Sequence, residues 1–146
     1  MAEKEIILIS ACLLGVNCRY DGGNNYIPIV EKLKEKYTLI PVCAEIYGGL
    51  TTPRIPAEQL GDRVVFKDGS DATKYFVRGA EEVLKLAKFY GCRRTVRKER
   101  SPSCGKGKMY DGTFTKTVVE GDGVLCELLK KQGIKVIGES QIEDEL

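Results

Sequence analysis

Three cysteines stand just past the strands of a predicted parallel sheet, and the sequence contains no histidine. Apolar runs lead directly into Cys12 and Cys43, and a shorter β-branched run precedes the loop that contains Cys104. In an open α/β sheet, the loops at the carboxyl ends of the strands share one crevice, and ligands bind there. We therefore expect the three thiols to meet in that crevice. Without an imidazole, the chemistry there falls to thiolates, carboxylates and hydroxyls.

The other three cysteines are placed differently. Cys92 lies between a predicted helix and the next strand, at the amino end of the sheet, and Cys126 lies within the last predicted helix, where cysteine usually acts as a small buried hydrophobe. We interpret both as structural and the set Cys12, Cys43 and Cys104 as ligands. Cys18 stays open, as a fourth ligand, a resolving thiol or a packing residue.

Familiar motifs for other chemistries are missing from the sequence. It has no CxxC pair, and the six-residue step from Cys12 to Cys18 fits no common zinc motif. The glycine-containing stretches at 48–49 and 105–108 complete neither a Walker motif nor a dinucleotide-binding fingerprint. Catalytic triads with a histidine base are excluded by composition.

The composition is that of one globular domain, because 146 residues with 42% hydrophobic and 30% charged residues fit that class. A net charge of +2 argues against a dedicated nucleic-acid binder. A local basic cluster either attracts a phosphate-bearing ligand or forms a solvated face; it comprises Arg93, Arg94, Arg97, Lys98, Arg100, Lys106 and Lys108. With no signal-peptide pattern or membrane span, we expect a cytoplasmic protein, where cysteines more often serve metals or catalysis than disulfides.

The order of elements predicts a single α/β domain over residues 1–146, with an open, mostly parallel, Rossmann-like sheet flanked by helices. We predict strands at 5–10, 38–43, 94–98 and 134–137, a short edge strand at 64–66, and helices at 26–36, 71–90 and 123–132. Residues 44–61 are expected to be irregular because glycine and proline recur there. The acidic tail is expected to fray.

Four motifs together resemble one known family. They occupy residues 10–22 (SACLLGVNCRYDG), 41–45 (PVCAE), 48–56 (GGLTTPRIP) and 101–105 (SPSCG). In this order they resemble the bacterial thiouracil desulfurases, and the resemblance extends over nearly the whole chain. Each motif alone would be a weak signal, whereas the ordered combination is specific.

The resemblance implies a 4Fe–4S cluster held by Cys12, Cys43 and Cys104, with one iron left open for the sulfur of the substrate. It implies Glu45 as the catalytic acid/base and Ser101 as an assisting group at the substrate. The position of Cys18 need not be cysteine in this family, so the resemblance does not add it to the ligands. The cofactor can be lost in an aerobic preparation because an open iron is exposed to oxygen.

The function implied by this resemblance is the non-redox desulfuration of a small thiolated pyrimidine with release of sulfide, without stable nucleic-acid or membrane binding. Iron–sulfur clusters usually take four thiolates, so three thiolates leave a coordination position free. Two alternatives stay open at this point. One is desulfuration of a thiolated nucleotide or tRNA nucleoside, and the other is a non-enzymatic module that binds metal or senses redox state.

Overall fold

The computed structural model describes residues 4–146. It contains eight strands and four α-helices within that range. The strands are β1 (Ile6–Ser10), β2 (Thr38–Val42), β3 (Ala57–Leu60), β4 (Arg63–Phe66), β5 (Arg94–Arg97), β6 (Lys108–Tyr110), β7 (Val118–Glu120) and β8 (Lys135–Gly138). The helices are α1 (Val30–Lys36), α2 (Ala44–Tyr47), α3 (Thr73–Tyr90) and α4 (Val124–Lys131).

The central sheet has four parallel strands in the order β2-β1-β5-β8. Helices cover both faces of the sheet, and alternate residues of β1 pack into two different hydrophobic clusters. Leu8 packs with α3 and α4, whereas Ile7 and Ile9 pack with α1. A strand buried on both faces is expected to be almost continuously apolar, and Ile6–Ile9 of β1 follow this pattern. The predicted α/β class with an open parallel sheet is confirmed.

Helix α3 follows the prediction closely at both ends. Asp71 Oδ1 accepts a hydrogen bond of 2.8 Å from the Thr73 N–H group, and Gly91 ends the helix in the left-handed conformation (φ 66°). A close contact between α3 and α2 was not predicted. Gly79 lets α3 approach α2 so tightly that a Cβ atom there would overlap the Ala44 carbonyl oxygen. This contact fixes α2 against the larger helix.

Several local predictions were wrong. Helix α1 begins at Val30 rather than near residue 26, because Pro28 lies in a turn before it. The stretch expected to be irregular contains α2 and β3, and β4 pairs with β3 in a separate antiparallel hairpin instead of at the edge of the central sheet. A second hairpin, β6–β7, lacks the long apolar alternation that predicts strands and was missed.

The acidic tail is ordered, contrary to the expectation that it frays. Residues 139–145 form a 3₁₀ helix, in which Ile142 is fully buried. Glu145 Oε1 lies 2.7 Å from Lys135 Nζ, and the Glu145 carbonyl oxygen accepts a hydrogen bond from the Tyr37 hydroxyl. One apolar anchor and several polar contacts therefore attach the tail to the sheet. No helix in the described range is long and apolar enough to cross a membrane.

Candidate functional site

One large cavity lies at the carboxyl ends of β1, β2 and β5, with a volume of about 1070 Å³. These strands are neighbours in the sheet, so the segments that follow them face each other. All of the ligands and catalytic residues predicted from the sequence line this cavity, namely Cys12, Cys43, Cys104, Glu45 and Ser101. The sheet therefore brings together residues that are far apart in sequence.

The Cys18 thiol is a neighbour of both Cys12 and Cys43. Cys12 belongs to the 3₁₀ turn Ala11–Leu14 that follows β1, and Cys43 directly follows β2. Hydrogen bonding from the Cys18 thiol lowers the pKa of Cys12 to about 6 and that of Cys43 to about 7, whereas it raises the pKa of Cys18. Two thiols of the predicted set thus favour the thiolate form that binds metal.

The loop that contains Cys104 is attached to the start of α4. The carbonyl oxygens of Pro102 and Ser103 accept hydrogen bonds from the N–H groups of Val124 and Leu125, at 2.9 and 2.8 Å. These donors open α4 and have no partner within the helix, so the loop and the helix satisfy each other. Burial raises the pKa of the Cys104 thiol. Sequence reasoning found the loop but not its attachment to α4.

Glu45 lies in the first turn of α2, within the stretch that was expected to be irregular, and its side chain reaches the cavity. Its Oε2 atom accepts hydrogen bonds from Arg54 Nε, at 3.0 Å, and from Arg54 Nη2. Its Oε1 atom lies 3.5 Å from the Ser101 hydroxyl. The pair is not a surface salt bridge, because the side chains of Arg54 and Glu45 are only 7% and 17% exposed.

Arg54 joins separate parts of the site. Besides Glu45, it donates from Nη2 to the carbonyl oxygen of Cys18 at 2.9 Å and from Nη1 to that of Thr51 at 3.1 Å. The sequence analysis assigned Arg54 no such role. Its position within the GGLTTPRIP motif was the available signal for a larger role.

Ser101 is oriented by backbone donors. The N–H groups of Ser103 and Cys104 both donate to its Oγ atom at 3.2 Å. Because Ser101 Oγ accepts these two hydrogen bonds, its own hydroxyl proton is free to point toward Glu45 Oε1. The loop thus couples the third cysteine, the serine and the glutamate.

The predicted basic cluster does not form one surface. Lys98, Arg100, Lys106 and Lys108 line the cavity, so cationic side chains do surround the site. Arg94 instead lies at the amino end of β5, where its Nε atom is 2.7 Å from Glu5 Oε2. Arg97 is fully buried. Sequence reasoning missed the burial of Arg97, although its place at the end of a β-branched strand was a signal.

The donor set fits an iron–sulfur cluster. Soft thiolates are the ligands of such clusters, and the three predicted ligands line the cavity together with Cys18. Within residues 4–146, no group of three ligating side chains is close enough together to bind a single metal ion. Each thiolate of a cluster binds a different iron, so a cluster needs wider spacing than one ion does. Cys92 and Cys126 lie in the core with α3 and α4 and do not line the cavity.

Comparison with known proteins gives three matches. The model of the 2-thiouracil desulfurase family matches residues 7–141. An uncharacterized protein of Bacillus subtilis (strain 168), YbbK, is 37% identical over 95% of this chain and 99% of its own length. The solved structure of the [4Fe-4S]-dependent thiouracil desulfidase TudS superposes with a TM-score of 0.92 and 43% identity, covering 97% of this chain and 95% of the other.

Proposed function

Because the chain belongs to the 2-thiouracil desulfurase family, we propose that it removes sulfur from a small thiolated pyrimidine with a 4Fe–4S cluster as cofactor. The observation that carries this proposal is the meeting of three cysteines, Glu45 and Ser101 in one cavity. Family membership favours this enzyme over the non-enzymatic module considered from sequence.

We propose that Cys12, Cys43 and Cys104 hold the cluster. Their three thiolates leave one coordination position without a protein ligand. When bound, the cluster supplies a soft Lewis acid that polarises the carbon–sulfur bond of the substrate. Cys18 lies beside two of these ligands, and we assign it no bond to iron.

Glu45 is the general base of the proposed reaction. Arg54 holds Oε2, which leaves Oε1 directed toward Ser101 and the cavity. From there the carboxylate takes a proton from the water that attacks the carbon bearing sulfur. Ser101 assists by hydrogen bonding at the substrate, with its orientation fixed by two backbone donors.

The atoms balance without an electron donor. The oxygen of water replaces the sulfur on the pyrimidine carbon, and both protons of that water leave with the sulfur as hydrogen sulfide. The oxidation state of the carbon is unchanged. No reductase or flavin is therefore required.

We place this reaction in the cytoplasm. The six cysteines are free thiols, and a reducing compartment keeps them available as ligands.

The test is anaerobic reconstitution of the protein with iron and sulfide, followed by incubation with 2-thiouracil. We expect uracil and sulfide in equal amounts without added reductant. A thiouridine monophosphate arm tests the nucleotide alternative, because basic side chains line the cavity. A reconstituted, cluster-loaded protein that releases no sulfide from either compound would contradict the proposal.

A further inference from the structure

Arg97 carries a buried charge that no carboxylate in the described range neutralises. Its side chain is fully buried, and none of the ion pairs within residues 4–146 includes it. Its Nε atom donates to the Val96 carbonyl oxygen at 2.8 Å, whereas its buried Nη2 atom has no hydrogen-bond partner among the described residues. An isolated buried charge is strongly unfavourable, so a negative group is expected beside it.

The contact with Cys104 indicates where that negative group belongs. Arg97 Nη1 lies 3.8 Å from Cys104 Sγ. Cys104 lines the cavity, whereas Arg97 lies behind its wall. Strand β5 pairs on both sides, with Val96 opposite Ile9 and Ile137, so the backbone of Arg97 is fixed at this depth.

Two other cations beside the cavity differ from Arg97. Lys98 Nζ lies 2.6 Å from Glu139 Oε1, and Arg54 is paired with Glu45. Both charges are therefore balanced within the protein itself. Arg97 has no such carboxylate partner in the described range, so its positive charge is available to balance the negative charge of the cysteine thiolates.

We propose that Arg97 is a positioning residue that acts as the buried counter-ion of the iron–sulfur cluster through Cys104. This inference rests on the proposed function, because it requires the cluster. A cluster held by three thiolates has a net negative charge, and net charge and hydrogen bonds to sulfur set cluster potentials. Arg97 therefore favours retention of the cluster and raises its reduction potential.

The test compares Arg97→Met and Arg97→Lys with the wild type, with and without the cluster. Without it, Arg97→Met is expected to unfold at the same or higher denaturant concentration, because an unpaired buried charge has been removed. With it, iron release to a chelator is expected to be about 10–100-fold faster, as for other residues that support metal ligands. The midpoint potential is expected to become more negative. Arg97→Lys retains the charge and should restore most of both properties.

Arg94→Met is the matched control, since Arg94 begins the same strand and pairs with Glu5 and Glu145. It should lower stability with and without the cluster but leave iron release and potential unchanged. Wild-type iron release and potential in Arg97→Met would overturn the inference. An apo Arg97→Met protein that is destabilised or unfolded would show a structural role and overturn it too. Failure of the wild type to take up a cluster would instead contradict the proposed function.

Discussion

The Ser101 hydroxyl lies 3.5 Å from Glu45 Oε1, although 56 residues separate the two positions in sequence. The contact joins the loop after β5 to the first turn of α2. Arg54 fixes the other oxygen of the carboxylate, so the glutamate is held from both sides. This arrangement is what makes Glu45 more than one half of a salt bridge.

Glu45→Gln is expected to keep the fold, the iron and substrate binding but to lose about 10²–10⁴-fold in turnover, because an amide cannot act as the general base. Sulfide release by the iron-loaded variant measures the effect. Glu139→Gln is a suitable control, since Glu139 also lines the cavity and pairs with Lys98. Near-normal turnover in a loaded Glu45→Gln protein would refute the mechanism but not the family membership.

Ser101→Ala is expected to reduce turnover by on the order of 10²-fold, the effect of losing one well-placed hydrogen-bond donor. It should also cost about 1–3 kcal/mol of unfolding free energy, because two backbone N–H groups lose their acceptor. Ser103→Ala is the matched control in the same loop, since the buried Ser103 hydroxyl has no hydrogen-bond partner within residues 4–146. Equal turnover in the two variants would remove Ser101 from the mechanism.

Cys12→Ser, Cys43→Ser and Cys104→Ser are each expected to lose most of the iron, because two thiolates hold a cluster poorly. Cys92→Ser and Cys126→Ser should retain iron near the wild-type level. Cys18→Ser is also expected to retain the cluster. Iron analysis after anaerobic reconstitution distinguishes the groups, and full retention in any of the first three would exclude that cysteine as a ligand.

Glu145 is expected to make the stability depend on pH in the acidic range. The hydrogen bond from Lys135 holds the pKa of this carboxyl below its usual value. The resulting stabilisation is present above the unfolded-state pKa and is lost as pH falls through the folded-state pKa. Glu145→Gln should therefore lower stability by up to about 1 kcal/mol at neutral pH and less in acid. Denaturant unfolding at both pH values checks this, with the exposed Glu143→Gln as control; a loss that is independent of pH would contradict it.

The sequence by itself determined the parallel sheet and the edge at which the cysteines gather. Apolar runs before Cys12 and Cys43 predict buried strands, and the carboxyl ends of parallel strands face one crevice. Those properties depend on local patterns, which a sequence displays directly. The family was likewise evident from four motifs, and the comparisons confirm it.

Only the tertiary structure decided the burial of Arg97, the two-sided hold on Glu45 and the docking of the acidic tail. Each depends on contacts between distant segments, such as Arg97 with Cys104 or Glu145 with Lys135. A charged residue in a sequence is most often exposed, and only packing reveals the exceptions. The physical reason is that burial and charge pairing belong to the assembled sheet and its loops, whereas hydrophobic periodicity belongs to the chain.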